Sequence, residues 1–305
     1  MPKITIVGAG NVGASACSWI TAFNLADVVL IDKNAGLAKG KAMDISDAMR
    51  IFNSNRKITG TDDFSMAEGS EIIVITAGLA RKPGMKREDL LSANAQIIKS
   101  ISDNIKKYVS EDTLWICVTN PLDIMTLLLY KYGGIAKDRL FGMGVNLDSA
   151  RMANIAAEET NMPRVNFSPI VLGAHGKDMF PVAGSLSVFG FNVLDEKETE
   201  KILVRTSNRG AEIVEAFGSG SAYFAPGAAI YQLAKAILNN ENVIIPASVI
   251  VKDELDLAEE SAIGMPVRVG GSGWAIENSI KFDSDVKQSL QKAAQEVSKS
   301  LSIIL

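Results

Sequence analysis

Residues 3–13, KITIVGAGNVG, run a β-branched apolar segment straight into three glycines, Gly8, Gly10 and Gly13. Such a segment is typical of a strand buried on both faces of a parallel sheet. The stretch behind the glycines, NVGASACSWITAFNL, carries Ala14, Cys17, Trp19, Ile20 and Phe23 on one helical face. The glycines therefore sit between strand and helix. The first permits a tight turn, the second lets the backbone approach a pyrophosphate, and the third allows helix and strand to pack closely. The helix N-terminus adds free N–H groups and the positive end of its dipole. A second buried run, VVLI at 28–31, ends in Asp32. A carboxylate there accepts hydrogen bonds from ribose hydroxyls and repels a 2′-phosphate, which favours NAD over NADP. Lys33 beside it softens that repulsion.

The alternation continues. EIIVITAG (71–78) and TLWICVTN (113–120) each end in turn residues, and LLSANAQIIKSISDNIKKYVS (90–110) between them has a 3.6 period. Strands alternating with helices through residue 145 predict an α/β fold, a Rossmann-type doubly wound parallel sheet. The second half changes pattern. Helices are expected at 145–161, halted by Pro163, at about 196–217, and at the C-terminal DSDVKQSLQKAAQEVSKSL; SLSVFGFNVL (185–194) suggests an antiparallel hairpin. NVIIPASVIVKDEL and GMPVRVGGSGWAIE read as a strand meander. This predicts a second, α+β substrate domain, with the division at 1–143 and 144–305.

Other function classes are poorly served. A formal net charge of −4, with Lys and Arg spread along the chain, offers no cationic surface for nucleic acid. No apolar run approaches the ~18 residues of a membrane span, and Cys17 and Cys117, far apart and without a CxxC, are poor metal ligands. They read as small buried hydrophobes of a cytoplasmic protein.

Chemistry concentrates in three places. TAGLARKPGMKREDLLSANA (76–95) begins at a strand end and carries Arg81, Lys82, Lys86 and Arg87 among Gly78, Pro83 and Gly84. Such a loop suits closure over an anionic substrate, although a solvated charge run reads as well. LDSAR sets Asp148 and Arg151 three residues apart on one helix face, a spacing more often that of a surface ion pair. IVLGAHGKDMF holds His175, the chain's only histidine; alone, it is more often packed or capping than catalytic. In one chain with a dinucleotide turn, these groups are equipment for hydride transfer to the carbonyl of an anion.

GAGNVG, Asp32, TAGLARKPGMKREDLL, VTNPLD, NLDSARM, GAHG and IGMPVRVGGSG occur in the order of the lactate/malate dehydrogenase family, which the chain resembles end to end on its malate side. The resemblance implies an NAD-dependent oxidoreductase interconverting (S)-malate and oxaloacetate, a tricarboxylic acid cycle reaction, in a homodimer or homotetramer. It makes His175 the acid–base group and Asp148 its orienter. Arg151 would form a bidentate pair with the C1 carboxylate. Arg87 would polarise the carbonyl, Asn120 would contact substrate, and Ala222 would leave room for a diacid. Gly8, Ala9, Gly10, Asn11, Val12, Gly13, Asp32, Thr76, Ala77, Gly78, Asn94, Val118, Thr119 and Asn120 would surround NAD; no metal is implied.

Arg81 selects the substrate within this resemblance, since typical lactate enzymes carry glutamine there. Oxaloacetate brings a second carboxylate to that arginine, whereas pyruvate would strand it in a dry site at a cost of roughly 3–5 kcal/mol. The nearest rival is a lactate or other 2-hydroxyacid dehydrogenase. An NAD-dependent glycosidase would need a metal site, and a non-catalytic NADH sensor leaves the arginines and His175 unexplained. One departure stands out. The family more often reads Gly-Gly-His-Gly-Asp, but here Ala174 precedes the histidine and Lys177 takes the aspartate's place, with Asp178 one position later. A lysine facing the site would lower the imidazole pKa; one turned outward would face another subunit.

Overall fold

The computed structural model describes residues 1–79, 87–176, 178–182 and 184–303, without the Arg87 side chain. Arg81, Lys82, Lys86 and Lys177 lie outside these residues. The first half runs β1 (Lys3–Val7), α1 (Asn11–Ala22), β2 (Asp27–Ile31), α2 (Ala35–Ile51), β3 (Ile58–Thr61), β4 (Ile72–Ile75), α3 (Arg87–Ile105), β5 (Leu114–Cys117), α4 (Leu122–Gly133) and β6 (Leu140–Gly142). These strands are parallel in the order β3-β2-β1-β4-β5-β6. The crossover point, between β1 and β4, is where such sheets open a crevice at their carboxyl ends. β4 and β5 are buried throughout, as continuous apolar runs require. Cys17 and Cys117 are free and buried, and burial pushes both thiols up.

The second half comprises α5 (Val145–Thr160), β7 (Val171–Ala174), β8 (Asp178–Pro181), α6 (Glu196–Phe217), α7 (Phe224–Leu238), β9 (Val243–Val251), β10 (Ser261–Gly270), β11 (Gly273–Ile276) and α8 (Ser284–Leu301). α6 is closed by a reciprocal capping box between Asp195 and Glu198. The antiparallel strands extend the sheet through a single β6–β9 pairing, Gly142 with Ser248, and β10 carries β7 and β8 onward by Gly264 with Gly173. The hairpin expected at 185–194 is shorter than the sequence suggests. Only Val188 and Phe191 bridge there, around Phe189 and Gly190 at positive φ. Leu186 and Val188 are buried in alternation, but among the described residues the pairing does not extend beyond that one antiparallel bridge. Among the described residues, no helix is long and apolar enough to cross a membrane.

Candidate active site

The glycine turn lies at the carboxyl end of β1. A Cβ on Gly13 would stand 1.9 Å from the Gly8 carbonyl oxygen, and one on Gly8, at φ +112°, would meet the Ala77 nitrogen at 2.6 Å. Both therefore close the turn tightly. A Cβ on Gly10 would meet no protein atom within 4 Å. That position opens outward, beside the free N–H groups of the first turn of α1. The Asp32 carboxylate braces the turn, accepting the Ala9 N–H at 2.8 Å and the Asn34 N–H at 2.9 Å. Each of its oxygens retains lone-pair capacity for ribose hydroxyls. This cradle, open only where a diphosphate backbone must approach, fits a dinucleotide.

Neighbouring strand ends are locked to it. Thr76 donates its hydroxyl to the Gly8 carbonyl at 3.0 Å, and Thr119 donates to the Ala77 carbonyl at 2.7 Å. Asn94 is fully buried. Its side chain accepts the Leu79 N–H at 2.7 Å and donates to the Asn120 carbonyl at 2.7 Å. It therefore clamps two strand-end loops together rather than presenting a free amide. Gly78 lies in the same group, where a Cβ would strike the Thr119 methyl at 2.5 Å.

A cavity of about 250 Å³ continues from this cradle into the second half of the chain, lined by Val12, Val118, Asn120, Arg151, His175 and Ala222 among others. Two elements deliver its histidine, aspartate and arginine. β7 ends at Ala174, which pairs with Asp178, so His175 begins the turn after the strand. Gly176 at φ +110° makes that turn possible. α5 supplies Asp148 and Arg151 from one face. The pair suspected of being a surface ion pair is buried: Asp148 is 1% and Arg151 13% exposed at the side chain.

The imidazole Nδ1 lies 2.6 Å from Asp148 Oδ2. The carboxylate holds the proton of the neutral ring on Nδ1 and leaves Nε2 as the free nitrogen. The second Asp148 oxygen accepts from Arg151 Nη1 at 3.3 Å. The Arg151 Nε is buried without a partner among the described residues, and an unsatisfied guanidinium donor in a cavity wall suits an incoming anion. Burial lowers the proton affinity of His175, but the charges of Asp148 and Asp123 and the Asp148 hydrogen bond outweigh burial and Arg151, leaving its pKa above the ordinary value.

Asp123, on α4, closes the VTNPLD motif but was given no role from the sequence. It accepts the His175 backbone N–H at 2.8 Å and the Ser248 hydroxyl at 2.6 Å. Gly210 and Val214 of α6, with Ser221 and Pro226, also wall the cavity unannounced. Arg87 begins α3, with its side chain outside the described residues, and Arg81 lies outside them altogether. Among the described residues no group of three or more His, Cys, Asp or Glu side chains is placed to hold a metal.

A histidine–aspartate pair beside a guanidinium, facing a dinucleotide cradle, is the equipment of a nicotinamide-dependent dehydrogenase. Two family models account for nearly the whole chain: the NAD binding domain of lactate/malate dehydrogenase matches residues 2–142, and the alpha/beta C-terminal domain matches 145–304. The chain belongs to the lactate/malate dehydrogenase family and is an NAD-dependent oxidoreductase. A malate dehydrogenase of Nostoc punctiforme is 39% identical over 304 residues, covering 99% of this chain and 92% of its own. Among solved structures, the malate dehydrogenase of Picrophilus torridus superposes with a TM-score of 0.94 at 35% identity, covering 99% of this chain and 97% of its own. That of Archaeoglobus fulgidus, in complex with NADH, gives 0.90 at 33% identity, with 99% of each chain covered. A lactate dehydrogenase of Cryptosporidium parvum, complexed with lactic acid and the dinucleotide, gives 0.93 at 30% identity, covering 99% of this chain and 98% of its own. Backbone shape thus does not separate the two substrates.

Proposed function

We propose that the protein is a malate dehydrogenase, reducing oxaloacetate to (S)-malate and reversing that reaction with NAD. The observation that carries this reading is the buried His175–Asp148 pair at 2.6 Å, with Arg151 in the wall of the same cavity. In reduction, NADH supplies the hydride to the carbonyl carbon when bound. His175 Nε2 gives its proton to the carbonyl oxygen, and Asp148 stabilises the imidazolium before transfer. In oxidation the neutral ring removes the hydroxyl proton. Arg151 grips the C1 carboxylate with two parallel N–H groups, a geometry lysine cannot offer. Asn120 orients the substrate, and Arg87 has the role of polarising the carbonyl as charge develops on its oxygen.

The cofactor is held by the turn from Gly8 to Gly13 with Ala9, Asn11 and Val12, by Asp32 on the ribose side, and by the strand ends Thr76–Gly78 and Val118–Asn120; Asn94 fixes those ends. The two functional units divide at 143/144, a boundary supported by the limits of the two family models. The enzyme acts as a cytoplasmic homodimer or homotetramer, a reading supported by exposed Phe23, Met43, Ile51, Phe52 and Phe224 on or at the ends of α1, α2 and α7.

Arg81 chooses the diacid. NADH oxidation with oxaloacetate and with pyruvate tests this directly: oxaloacetate is the strongly preferred substrate, and NADPH replaces NADH poorly. Arg81→Gln lowers kcat/KM for oxaloacetate at least about tenfold and largely spares pyruvate. Unchanged oxaloacetate turnover would remove Arg81 from the selection, and a wild-type preference for pyruvate would make the enzyme a lactate dehydrogenase.

A further inference from the structure

Asp123 is an acid where packing calls for an apolar residue. The α4 segment around it, LDIMTLLL, is buried and otherwise uncharged, and Asp123 is itself 5% exposed. An unpaired carboxylate in such a place costs several kcal/mol. Both of its oxygens are used. Oδ2 accepts the main-chain N–H of His175 at 2.8 Å, and Oδ1 accepts the hydroxyl of Ser248, on β9, at 2.6 Å. One buried carboxylate thus ties together α4, the β7–β8 loop and β9.

We propose that Asp123 is the second carboxylate of the acid–base site: a positioning residue that fixes the backbone of His175 and, through its charge, favours the protonated imidazole, with the Ser248 hydroxyl bonded to its other oxygen. The proposal rests on the assignment of His175 as the proton donor. Asp148 grips the ring at Nδ1 while Asp123 grips the main chain of the same residue, so the free Nε2 has little room to wander. Without the second anchor, a short loop containing glycine at φ +110° would let the ring move. A misplacement of about 1 Å can cost on the order of 10²-fold in rate.

The charges facing the ring are Asp148 and Arg151 from α5 and Asp123 from α4; Lys177, two residues along the loop, lies outside the described residues. Burial pushes the Asp123 carboxyl above its ordinary range and the Asp148 charge adds to this, while the Ser248 hydroxyl, the imidazolium charge and the His175 N–H pull it only part of the way back. Ser248 is therefore the lever. Without its hydroxyl, Asp123 takes up a proton more readily and its negative charge no longer supports the imidazolium.

Because the chain has one histidine, the titration of its imidazole is read without ambiguity by NMR on the full protein, with no substrate present. Asp123→Asn keeps the shape and an acceptor for the His175 N–H but removes the charge. The His175 midpoint then falls by roughly half a pH unit or more. Ser248→Ala lowers it by a smaller amount. Asp123→Ala, which removes the anchor as well, loses on the order of 10²-fold in kcat, while its NADH dissociation constant stays within about twofold of wild type. A midpoint unmoved in both Asp123→Asn and Ser248→Ala overturns the charge role, and wild-type kcat in Asp123→Ala overturns the positioning role. Should Asp123→Ala fail to fold, the two milder variants still decide. A wild-type protein that ignored oxaloacetate would sink the proposed reaction while leaving the titration result standing.

Discussion

The concavity at the amino ends of the parallel strands has a volume of about 900 Å³, against about 250 Å³ for the one at their carboxyl ends. The larger is a groove edged by Glu68, Glu71, Asp112 and Arg139. Its acids are exposed, and its ion pair of Arg139 with Asp112 at 3.0 Å includes a carboxylate that is 88% exposed. Water satisfies these charges whether or not a ligand arrives. In the smaller cavity, Asp148 and Arg151 are largely held out of water, an imidazole able to carry charge lies near two carboxylates, and a guanidinium nitrogen has no partner among the described residues. Catalytic capacity follows desolvated, mutually oriented charge rather than volume.

The largest effect that tests this contrast belongs to His175→Asn. General acid–base catalysis contributes on the order of 10²–10⁴-fold, so turnover of oxaloacetate should fall by about 10³-fold while NADH still binds. Asp112→Asn, in the larger groove, should leave turnover unchanged. The wild-type pH profile carries the same information. With its pKa raised above the ordinary 6.5, His175 keeps its proton to higher pH than a free imidazole does, so reduction falls only as pH rises through that higher value. Malate oxidation, which needs the neutral ring, rises over the same range. Opposite limbs with a common midpoint identify one group. A reduction rate flat across that range would break the assignment.

Next comes Arg151→Lys, which keeps the charge and removes the planar fork. A hydrogen bond to a charged group contributes roughly 1.5–3 kcal/mol, so kcat/KM for oxaloacetate should drop about 10- to 10²-fold. Equal activity would mean that Arg151 serves Asp148 alone and that substrate is held elsewhere.

The two regions also differ in how plainly the chain announced them. Parallel strands buried on both faces must be apolar throughout, so β1, β2, β4 and β5 stood out as runs. The edge strand β3, with the sequence ITGT and partly exposed, has a single large apolar residue and carries no such signal. His175 drew attention by being unique, and Asp148 with Arg151 by their spacing. Burial then decided against the surface-pair reading, and burial is a property of the whole fold. Asp123 was hidden for a different reason: it works through a backbone N–H 52 residues away, and no side-chain pattern encodes that contact. An acid closing the VTNPLD motif and opening the apolar run LDIMTLLL was the available hint.

Two glycines of the cradle sharpen the comparison at smaller scale, because one is required by the protein and the other by its ligand. At Gly13 a Cβ would lie 1.9 Å from a backbone oxygen. Gly13→Ala should therefore lower stability by roughly 1–3 kcal/mol, measured by denaturant unfolding without cofactor. At Gly10 no protein atom lies within 4 Å. Gly10→Ala should unfold like wild type yet bind NADH about tenfold more weakly, since the methyl stands where the pyrophosphate must approach. Equal NADH affinity in that variant would move the diphosphate away from this turn.

The smallest expected effect lies in the larger groove, and its smallness is the point. Arg139→Ala removes the ion pair with Asp112 and a further hydrogen bond, at 2.8 Å, to the Asp112 carbonyl. Exposed pairs of this kind are worth about 0–1 kcal/mol, and raised salt already screens them. The variant should shift the unfolding midpoint slightly, less so at high ionic strength, and leave kcat and KM for oxaloacetate as they were. A substantial loss of turnover would couple the amino ends of the strands to the chemistry at their carboxyl ends. The two concavities would then have to be treated as one system joined through β5 and β6, because Arg139 directly precedes β6 and that strand leads to the helix bearing Asp148.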